Sequence, residues 1–351
     1  MKAIGLTAKP EIGRVAEKLE LLEIRTPRPK GDEVMIKMSA SAMHIDEIYA
    51  AQGTCLGRFF GPKNVSAVKP YILGSIASGV VVDYGDFVDR YDIGDEVIVI
   101  PDYKIEKGFW AEYQCVKNQR VVLKPLGLSH TTAVAAIQSG CVALSAINRA
   151  QVHKGDKCVV VGASGAIGLM MLQILKIRGC QVTAVCSGRN ENLVRENGAD
   201  AVIDYTESGF GKVLSNTNES QDLIFDCVGG IEVEEQAMLA LRPEGKFVTL
   251  VGPQRYIGEE RLDWWQMGKL ALYVFWRMLF TLFTGPRYIF NSAIPASEVH
   301  EVLALFQNEK INAPLEKTIP FNLRCIADAV KLLVSHRARG RVVIDFSRKT
   351  K

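Results

Sequence analysis

The chain has 351 residues, of which 48% are hydrophobic and 23% are charged, a composition typical of a globular protein long enough to form two domains. Its formal net charge is only +3 and no run of five or six like charges occurs, so the charge pattern does not favour nucleic acid as a partner. The 8 cysteines form no C-x-x-C pair, which predicts free thiols in a reducing compartment rather than a disulfide framework or a structural zinc lobe.

The first 128 residues are predicted to form a β-rich module. The opening sequence MKAIGLTAKPEIGR lacks the apolar stretch of a signal peptide, so we expect a first strand and a cytoplasmic protein. Short apolar runs follow, separated by turn sequences such as Pro27-Arg28-Pro29 and Gly94-Asp95. The predicted strands are 2–6, 19–24, 33–41, 78–83, 96–100 and 109–116. A module of this kind forms a small barrel or a sandwich.

A helix predicted between Ser129 and Asn148 leads into a strand, a glycine turn, an apolar helix and a second strand. The turn has the spacing G-x-x-G-x-x-G directly after a β-branched run, KCVVV. Glycines allow the backbone to approach a pyrophosphate, and the helix N-terminus stabilises its charge. This context predicts a dinucleotide. The residues predicted to hold the pyrophosphate are Gly162, Ser164, Gly165, Ala166, Ile167 and Gly168.

The residues after the second strand indicate which dinucleotide binds. NAD-binding proteins place an acid about 20 residues after the glycines to bind the ribose 2′-hydroxyl, and that carboxylate would repel a 2′-phosphate. Here the strand is followed by Ser187, Gly188 and Arg189, and no acid precedes Glu191. A serine hydroxyl can donate to a phosphate and an arginine can pair with it, so NADPH is the predicted cofactor. The alternative is that Arg189 is a solvated surface charge.

Strands and helices continue to alternate after the glycine unit. Further apolar strands are predicted at 201–205, 222–228 and 245–251, with helices near 190–197 and 232–241. Five such strands joined by helices predict an open, doubly wound parallel sheet. These sheets bind ligands at the carboxyl ends of their strands. Cys227 and Val228 lie at one such end, and Val251 and Gly252, predicted to lie near the nicotinamide, lie at another.

The most apolar stretch runs from Leu270 to Phe283. It contains Arg277 and is too short for a transmembrane helix, which needs about 20 residues. Three interpretations stay open: burial in a subunit interface or under the cofactor, contact with a membrane surface, or a lid. The remaining chain mixes predicted helices with predicted strands, so it can fold back onto the N-terminal module. These helices are 298–306 and 325–335, and the strands are 316–320 and 341–346.

The segments VVVGASGAIG, VCSGRN and GADAVIDY together resemble the coenzyme unit of the medium-chain dehydrogenase/reductase superfamily, in particular its zinc-independent, quinone-oxidoreductase-like branch. The likeness extends to KAIGL, GDEVIV, DCVGG, GKFVTLVG and HRARGRVVI, and so covers nearly the whole chain. It implies an α/β fold in which a Rossmann doubly wound parallel sheet is inserted into a mainly β, GroES-like catalytic domain. Residues 1–128 with 291–351 would form the catalytic domain, and 129–290 the NADPH-binding domain.

The resemblance also implies partners and additional binding residues. It implies a homodimer whose active site lies in the cleft between the two domains of each chain. Tyr205 is implied as a further contact of the 2′-phosphate, and Arg339, in the basic-glycine tail, as a further cofactor-binding residue. The segment from Leu270 to Phe283 is similar to the same region of reticulon-4-interacting-protein-type members, which favours an interface or an organelle-surface role.

Comparison with zinc-dependent members of the superfamily predicts that no metal is bound. Their catalytic zinc requires a thiolate in a C-H-x-D type segment and an imidazole in a G-H-E segment. The corresponding segments here resemble Met43-His44-Ile45-Asp46 and Gly74-Ser75-Ile76, so a thioether and a hydroxyl replace the two ligands. Without a metal to polarise a carbonyl, simple alcohol oxidation is disfavoured.

The chemistry that remains is hydride transfer from NADPH to a quinone or to an α,β-unsaturated carbonyl compound, which spreads the developing negative charge itself. A proton must then be delivered, and His44, Asp46 and Tyr49 are the predicted catalytic residues because they lie in the segment that lines the nicotinamide cleft in relatives. The structural alternative is that Asp46 caps a helix and His44 is only hydrogen-bonded. The alternative functions are an alcohol or aldehyde oxidoreductase of the same superfamily and a non-catalytic NADPH-binding scaffold or sensor associated with a membrane surface.

Overall fold

The computed structural model describes residues 1–54, 57, 61–100, 108–216, 220–255, 257–291, 297–308 and 310–348. The chain divides into two compact units. The first comprises Met1–Gln138, Ile257–Leu262 and Leu315–Lys351, and the second comprises Ser139–Tyr256 and Asp263–Pro314. Relative to the predicted domain boundaries, residues 129–138 and 257–262 lie with the first unit, and residues 291–314 lie with the second.

The described residues form sixteen strands, ten α-helices and two short 3₁₀ helices. The strands are β1 Lys2–Leu6, β2 Glu20–Glu23, β3 Glu33–Met43, β4 Tyr71–Ile72, β5 Ile76–Tyr84, β6 Glu96–Val99, β7 Tyr113–Lys117, β8 Val121–Leu123, β9 Lys157–Val161, β10 Gln181–Cys186, β11 Ala201–Asp204, β12 Gln221–Asp226, β13 Leu241–Thr249, β14 Arg287–Phe290, β15 Leu315–Pro320 and β16 Arg341–Asp345. The helices are α1 Val15–Lys18, α2 Ile45–Gln52, α3 His130–Ala150, α4 Ala166–Ile177, α5 Glu191–Glu196, α6 Phe210–Ser215, α7 Ile231–Ala240, α8 Trp264–Phe280, α9 Ser297–Gln307 and α10 Leu323–Val334. The 3₁₀ helices are Asn118–Arg120 and Gly188–Asn190.

The first unit is built on the long strand β3. Its larger sheet has the order β15-β16-β3-β5-β6-β8, with β7 also paired to β3, and its smaller sheet has the order β2-β1-β4. Strand β3 contributes to two separate cores, since Val34 and Ile36 pack in one and Met43 packs with Ile48 of α2 in the other. The last strand, β16, pairs antiparallel with β3. The C-terminal segment therefore completes the N-terminal module, as its mixed pattern predicted.

The second unit is a parallel sheet of six strands in the order β11-β10-β9-β12-β13-β14. Numbered within the unit, this order is 3-2-1-4-5-6, the arrangement of a dinucleotide-binding sheet. Its core includes Val159, Ile224 and Phe247 from neighbouring strands. The sixth strand, Arg287–Phe290, was not predicted from the sequence. The carboxyl ends of β9, β10, β12 and β13 carry the predicted cofactor residues of this unit.

Several predicted elements differ from the structure in their bounds, and the strand predicted at 245–251 spans Leu241–Thr249. The strand predicted at 109–116 begins only at Tyr113, because the preceding residues make a single isolated bridge, between Ala111 and Ala3. The apolar stretch from Leu270 belongs to a longer helix, α8, that begins at Trp264. Asp263 and Gln266 form a capping box there, each side chain accepting a hydrogen bond from the other residue's backbone N–H.

The inner side of helix α8 combines the apolar Val274 and Met278, which pack against the core, with two polar side chains that contact Glu234. On the inner side, Nε of Arg277 lies 2.5 Å from Oε1 of Glu234, and the Tyr273 hydroxyl donates to Oε2 of Glu234 at 3.1 Å. Burial raises the pKa of the Glu234 carboxyl. No residue of α8 is buried. The large exposed apolar side chains of this helix are Trp264, Trp265, Leu272, Phe275, Trp276, Leu279 and Phe280.

Helix α3 is the one helix of the described residues that is long and apolar enough to cross a membrane by length and composition, and 72% of its most apolar window is buried within the protein. Such burial is what the core helix of a globular protein also shows. The seven described cysteines are free thiols, as predicted, and Cys55 lies outside the described residues.

Candidate functional site

The glycine turn of the second unit has the geometry of a dinucleotide cradle. Gly162 has φ +79°, which its lack of a side chain permits and which turns the chain sharply at the end of β9. A Cβ on Gly168 would lie 2.5 Å from the Gly162 carbonyl oxygen, so this glycine allows the helix to pack closely on the turn. A Cβ on Gly165 would meet nothing nearer than 3.5 Å. The space beside Gly165 is therefore open to a ligand, and the three glycines serve three different needs.

The N-terminus of α4 can receive a pyrophosphate. Gly165 occupies the N-cap position without a side-chain cap, and the first turn carries no acid. The N–H groups of Ala166 and Ile167, in the first turn, have no carbonyl of the helix to bond. Ser164 is half-buried and lies immediately before the N-cap. These features fit a doubly charged ligand, because donors and the positive end of the helix dipole face the same space.

The end of β10 places the predicted 2′-phosphate residues near the end of β11. Arg189 is exposed and makes no ion pair with any described residue. The backbone N–H of Gly188 is occupied, since it donates to Oδ2 of Asp204 at 2.8 Å. Tyr205 follows Asp204 and is 59% exposed. Hydrogen bonds from Thr206 lower the pKa of the Asp204 carboxyl, and its oxygens are held by Thr206 and Gly188.

A buried hydrogen-bond network holds the loops after β12 and β13. Asp226 is 1% exposed, and its Oδ1 accepts from the backbone N–H groups of Val228 and Gly229, each at 2.8 Å. Its Oδ2 accepts from the Thr249 hydroxyl at 2.7 Å. The Thr249 oxygen in turn accepts from the backbone N–H of Gly252 at 2.8 Å. Burial raises the pKa of Asp226 despite these donors.

This network fixes the backbone at Val228, Val251 and Gly252, so Asp226 and Thr249 position the loops that the sequence predicts to bind the cofactor. Sequence reasoning did not assign them this role, although a lone acid at the end of an apolar strand could have suggested it. The thiol of Cys227 has a pKa raised above its usual range by burial.

In the first unit, His44 and Asp46 form a close pair. Nδ1 of His44 lies 2.7 Å from Oδ2 of Asp46 and 3.2 Å from the backbone nitrogen of Asp46. One ring nitrogen cannot donate to the carboxylate and accept from the N–H at the same time. The shorter contact with a carboxylate favours a proton on Nδ1, which leaves Nε2 to exchange protons. His44 is also the N-cap residue of α2, so the helix cap predicted at Asp46 lies two residues earlier.

Tyr49 lies in the core of the first unit. It is 1% exposed, and its hydroxyl lies 3.0 Å from Nε2 of His336. Burial lowers the pKa of that histidine. The placement of Tyr49 does not favour the predicted contact with a substrate. Arg339 is exposed in the same unit, and its backbone N–H donates to Oε2 of Glu316 at 2.7 Å.

The two segments that resemble zinc-ligand segments are connected by the buried carboxylate of Glu47, the residue that follows Asp46. Oε1 of Glu47 accepts from the backbone N–H of Ser75 at 2.7 Å and from its hydroxyl at 2.6 Å. Burial raises the pKa of Glu47 to about 7, so this side chain changes charge near neutral pH. Burial also lowers the pKa of Arg341 to about 10. Sequence reasoning missed Glu47, because the glutamate it sought is replaced by Ile76.

Groups of three or more His, Cys, Asp or Glu side chains arranged to hold a metal ion do not occur among the described residues. The lost ligand positions, Met43 and Ser75, are both buried.

Two family models match the chain. The model described as an alcohol dehydrogenase GroES-like domain matches residues 30–126, and the model described as a zinc-binding dehydrogenase matches residues 197–344.

Similar proteins cover most of the chain. NAD(P)H oxidoreductase RTN4IP1, mitochondrial, from Danio rerio is 31% identical over 331 residues, which are 89% of this chain and 83% of that protein. The 2-methylene-furan-3-one reductase of Solanum lycopersicum is 26% identical over 328 residues, covering 92% of this chain and 74% of the reductase. Among solved structures, the quinone oxidoreductase from Coxiella burnetii has a TM-score of 0.82 at 24% identity and covers 98% of this chain and 99% of its own. These matches confirm the predicted fold class.

Proposed function

The chain belongs to the medium-chain dehydrogenase/reductase superfamily, in its quinone-oxidoreductase-like branch, and from this membership we propose that it transfers a hydride from NADPH to a quinone or to an α,β-unsaturated carbonyl compound. Its relatives are named as NAD(P)H oxidoreductases, a quinone oxidoreductase homolog and alkenal or enone reductases. The chain is accordingly an NAD(P)H-dependent oxidoreductase. The preference for NADPH and the kind of acceptor are our inferences.

One observation carries the preference for NADPH. The end of β10 offers Ser187 and the exposed Arg189, which forms no ion pair within the described part of the chain, and no acid occupies the segment between β10 and Glu191. An arginine and a hydroxyl favour a phosphate dianion, whereas binding of the NADH ribose gains from a carboxylate directly after β10, where this chain has none. The neighbouring Asp204 carboxylate accepts from Gly188 and Thr206. The turn from Gly162 to Gly168 would hold the pyrophosphate, and the loops supported by Asp226 and Thr249 would hold the nicotinamide end.

NADPH, when bound, supplies the hydride, and the protein must supply orientation and a proton. We assign proton delivery to His44, whose ring is oriented by Asp46 and whose remaining nitrogen can carry the proton. The acceptor is proposed to be conjugated, because the thioether of Met43 and the hydroxyl of Ser75 replace the ligands with which zinc-dependent relatives polarise a simple carbonyl. A quinone or an enone delocalises the added electron pair onto its own oxygen.

The test is oxidation of NADPH, followed by absorbance, against a panel of quinones, enones and simple ketones. We expect turnover with quinones or enones, a preference for NADPH over NADH, and a fall of about 100-fold in kcat for His44→Asn with unchanged affinity for NADPH. Oxidation of simple alcohols with NADP⁺ would favour the alternative of an alcohol oxidoreductase. Tight NADPH binding without turnover on any acceptor would favour a scaffold or sensor and would refute the proposed reaction.

The homodimer and the membrane contact remain predictions, and α8 provides the surface on which to test them. Its outward residues Leu272, Phe275, Trp276 and Leu279 recur at helical spacing and are all exposed. If this surface is a subunit interface, Phe275→Glu with Leu279→Glu will halve the mass in solution. If it contacts lipid, the same double variant will lose cosedimentation with anionic vesicles and keep its mass.

The matched control for this experiment is Lys212→Ala with Lys154→Ala, which lowers the net charge by the same two units at positions of the same unit that lie outside α8. A double variant of α8 that alters neither the mass nor vesicle binding would refute both roles. The cytoplasmic location also remains a prediction, to be tested by fractionation of cells that produce the untagged protein.

A further inference from the structure

Asn190 joins the two loops that would surround the adenosine ribose. The residue is 5% exposed and follows Arg189 at the start of α5. Its Nδ2 group donates to the hydroxyl oxygen of Ser164, in the glycine turn, at 3.0 Å. The same group donates to the hydroxyl oxygen of Ser187, at the end of β10, at 3.2 Å. Both amide hydrogens of Asn190 are therefore used within the protein.

The direction of these hydrogen bonds determines what the two serines can do. A hydroxyl has one hydrogen to donate and two lone pairs to accept. Because each serine oxygen accepts from Asn190, its own hydrogen must point elsewhere. Neither Ser164 nor Ser187 donates to another described residue, and both side chains are half-buried. The pair therefore offers two oriented O–H donors to a ligand.

The opposite orientation of the amide is less favourable. In the observed orientation, Oδ1 is the one polar side-chain atom of Asn190 that is buried without a hydrogen-bond partner among the described residues. In the flipped orientation, Oδ1 would accept from both serines, and an NH₂ group with two donors would be buried without acceptors. Unsatisfied buried donors are rarer in proteins than unsatisfied acceptors. The network thus prefers the state in which the serines donate outward.

The charges around this pair also favour an anion. Arg189 is adjacent and makes no ion pair with a described residue. Two acids beside this pair already have partners: Glu191 pairs with Arg195 at 2.9 Å, and the Asp204 carboxylate accepts from Thr206 and from the backbone N–H of Gly188. Two outward hydroxyl donors beside one unpaired guanidinium match a phosphate dianion, whose terminal oxygens are acceptors only.

We propose that Asn190 is the positioning residue for NADPH selectivity, acting through Ser164 and Ser187 by holding their hydroxyl hydrogens toward the adenosine 2′-phosphate. This inference rests on the proposed NADPH preference. Asn190 itself touches no phosphate. Its side chain determines whether the serines act as donors, and the selectivity for the phosphorylated cofactor follows from that direction.

The decisive variant is Asn190→Asp, or N190D, whose new side chain has nearly the same shape but can only accept hydrogen bonds when ionised. The two serines must then donate to the introduced carboxylate in place of the ligand. We expect N190D to weaken NADPH binding by about 30-fold or more, measured as Kd by cofactor fluorescence, and to change the Kd for NADH by less than about threefold. For N190A, which removes the donors without adding a charge, we expect a smaller loss, of about threefold to tenfold, for NADPH alone.

Two controls separate this role from a structural one. Asn197→Asp adds the same charge at the other end of α5, where the Asn197 amide donates to the Leu193 carbonyl at 2.8 Å, and should leave the ratio of the two Kd values unchanged. In a double-mutant cycle, N190A should have little further effect once Ser164 and Ser187 are both alanine.

Equal weakening of NADPH and NADH by N190D would overturn the proposal, because a misplaced loop affects the shared pyrophosphate. Additive effects in the cycle would overturn it as well. The ratio of Kd values for the wild-type protein separately tests the proposed NADPH preference. A wild type that prefers NADH refutes that preference, whatever Asn190 does.

Discussion

Replacing Ser187 and Arg189 together by alanine is expected to raise the Kd for NADPH by about 100-fold to 1000-fold, since each of the two charge-assisted hydrogen bonds to the phosphate should contribute about 1.5–2 kcal/mol, the lower end of the usual range, at a site where Arg189 is exposed. The Kd for NADH should change by less than about threefold, because NADH has no 2′-phosphate for these side chains to bind. Titration of cofactor fluorescence measures both constants. Added salt should lower the preference for NADPH over NADH more in the wild type than in the double variant, because salt screens the charge of the exposed Arg189.

The matched control is Arg195→Ala, which removes an exposed arginine of α5 that pairs with Glu191. It should leave both constants nearly unchanged. A double variant that still prefers NADPH by the wild-type ratio would show that Arg189 is only a solvated surface charge, the alternative that the sequence left open.

Replacing Asp226 by alanine is expected to lower the free energy of unfolding by about 3–5 kcal/mol, because the Val228 and Gly229 N–H groups and the Thr249 hydroxyl would lose their acceptor in a buried site. Chemical denaturation of the full chain measures this change. The loops that carry Val228 and Gly252 should also lose order, so affinity for both nicotinamide cofactors should fall together.

Asp226→Asn is the companion variant. Its amide oxygen can still accept from the two N–H groups, so we expect a loss of only about 1–2 kcal/mol. Because Asp226→Asn keeps both the side-chain size and an acceptor oxygen, the difference between the two variants measures the loss of unfolding free energy caused by removing them. Equal losses for the two variants would contradict the network, and an unchanged stability for Asp226→Ala would show that the loops are held by packing alone.

The sequence was sufficient to predict the second unit because its signals are local. A β-branched run, three glycines and an apolar helix lie within about two dozen consecutive residues. The structure shows a positive φ at Gly162, a close approach of the helix to the turn at Gly168 and open space for a ligand beside Gly165. The same applies to Ser187 and Arg189, which follow a strand end directly. Their proposed binding role remains a prediction, but their location at the carboxyl end of β10 follows from the sequence pattern.

The residues that sequence reasoning missed depend on long-range contacts. Glu47 meets Ser75 across 28 positions of the chain, and Asp226 meets Thr249 across 23. Nothing in the local pattern distinguishes Glu47 from a solvated acid in the first turn of a helix. The burial of Glu47, which only the structure shows, raises the pKa of this carboxyl to about 7.

Helix α8 is a second case in which the sequence was insufficient, here because the exposed side of a helix depends on its packing. Its composition predicted an apolar segment with three possible uses, and composition cannot say which side of a helix faces the core. Packing against β14 turns Arg277 and Tyr273 inward to Glu234 and leaves Phe275 and Trp276 exposed. An apolar surface of this kind is a region where a partner or a membrane can bind.

By itself, the sequence determined the fold class and predicted most of the strands and helices, the dinucleotide-binding turn and the loss of the zinc ligands, because these depend on residue type and short spacing. Only the tertiary structure decided that Tyr49 is buried against His336, that Asp226 and Glu47 are buried acceptors, and that Asn190 orients two serines. The physical reason is that burial, hydrogen-bond direction and pKa are properties of a side chain's surroundings, and distant parts of the chain provide those surroundings.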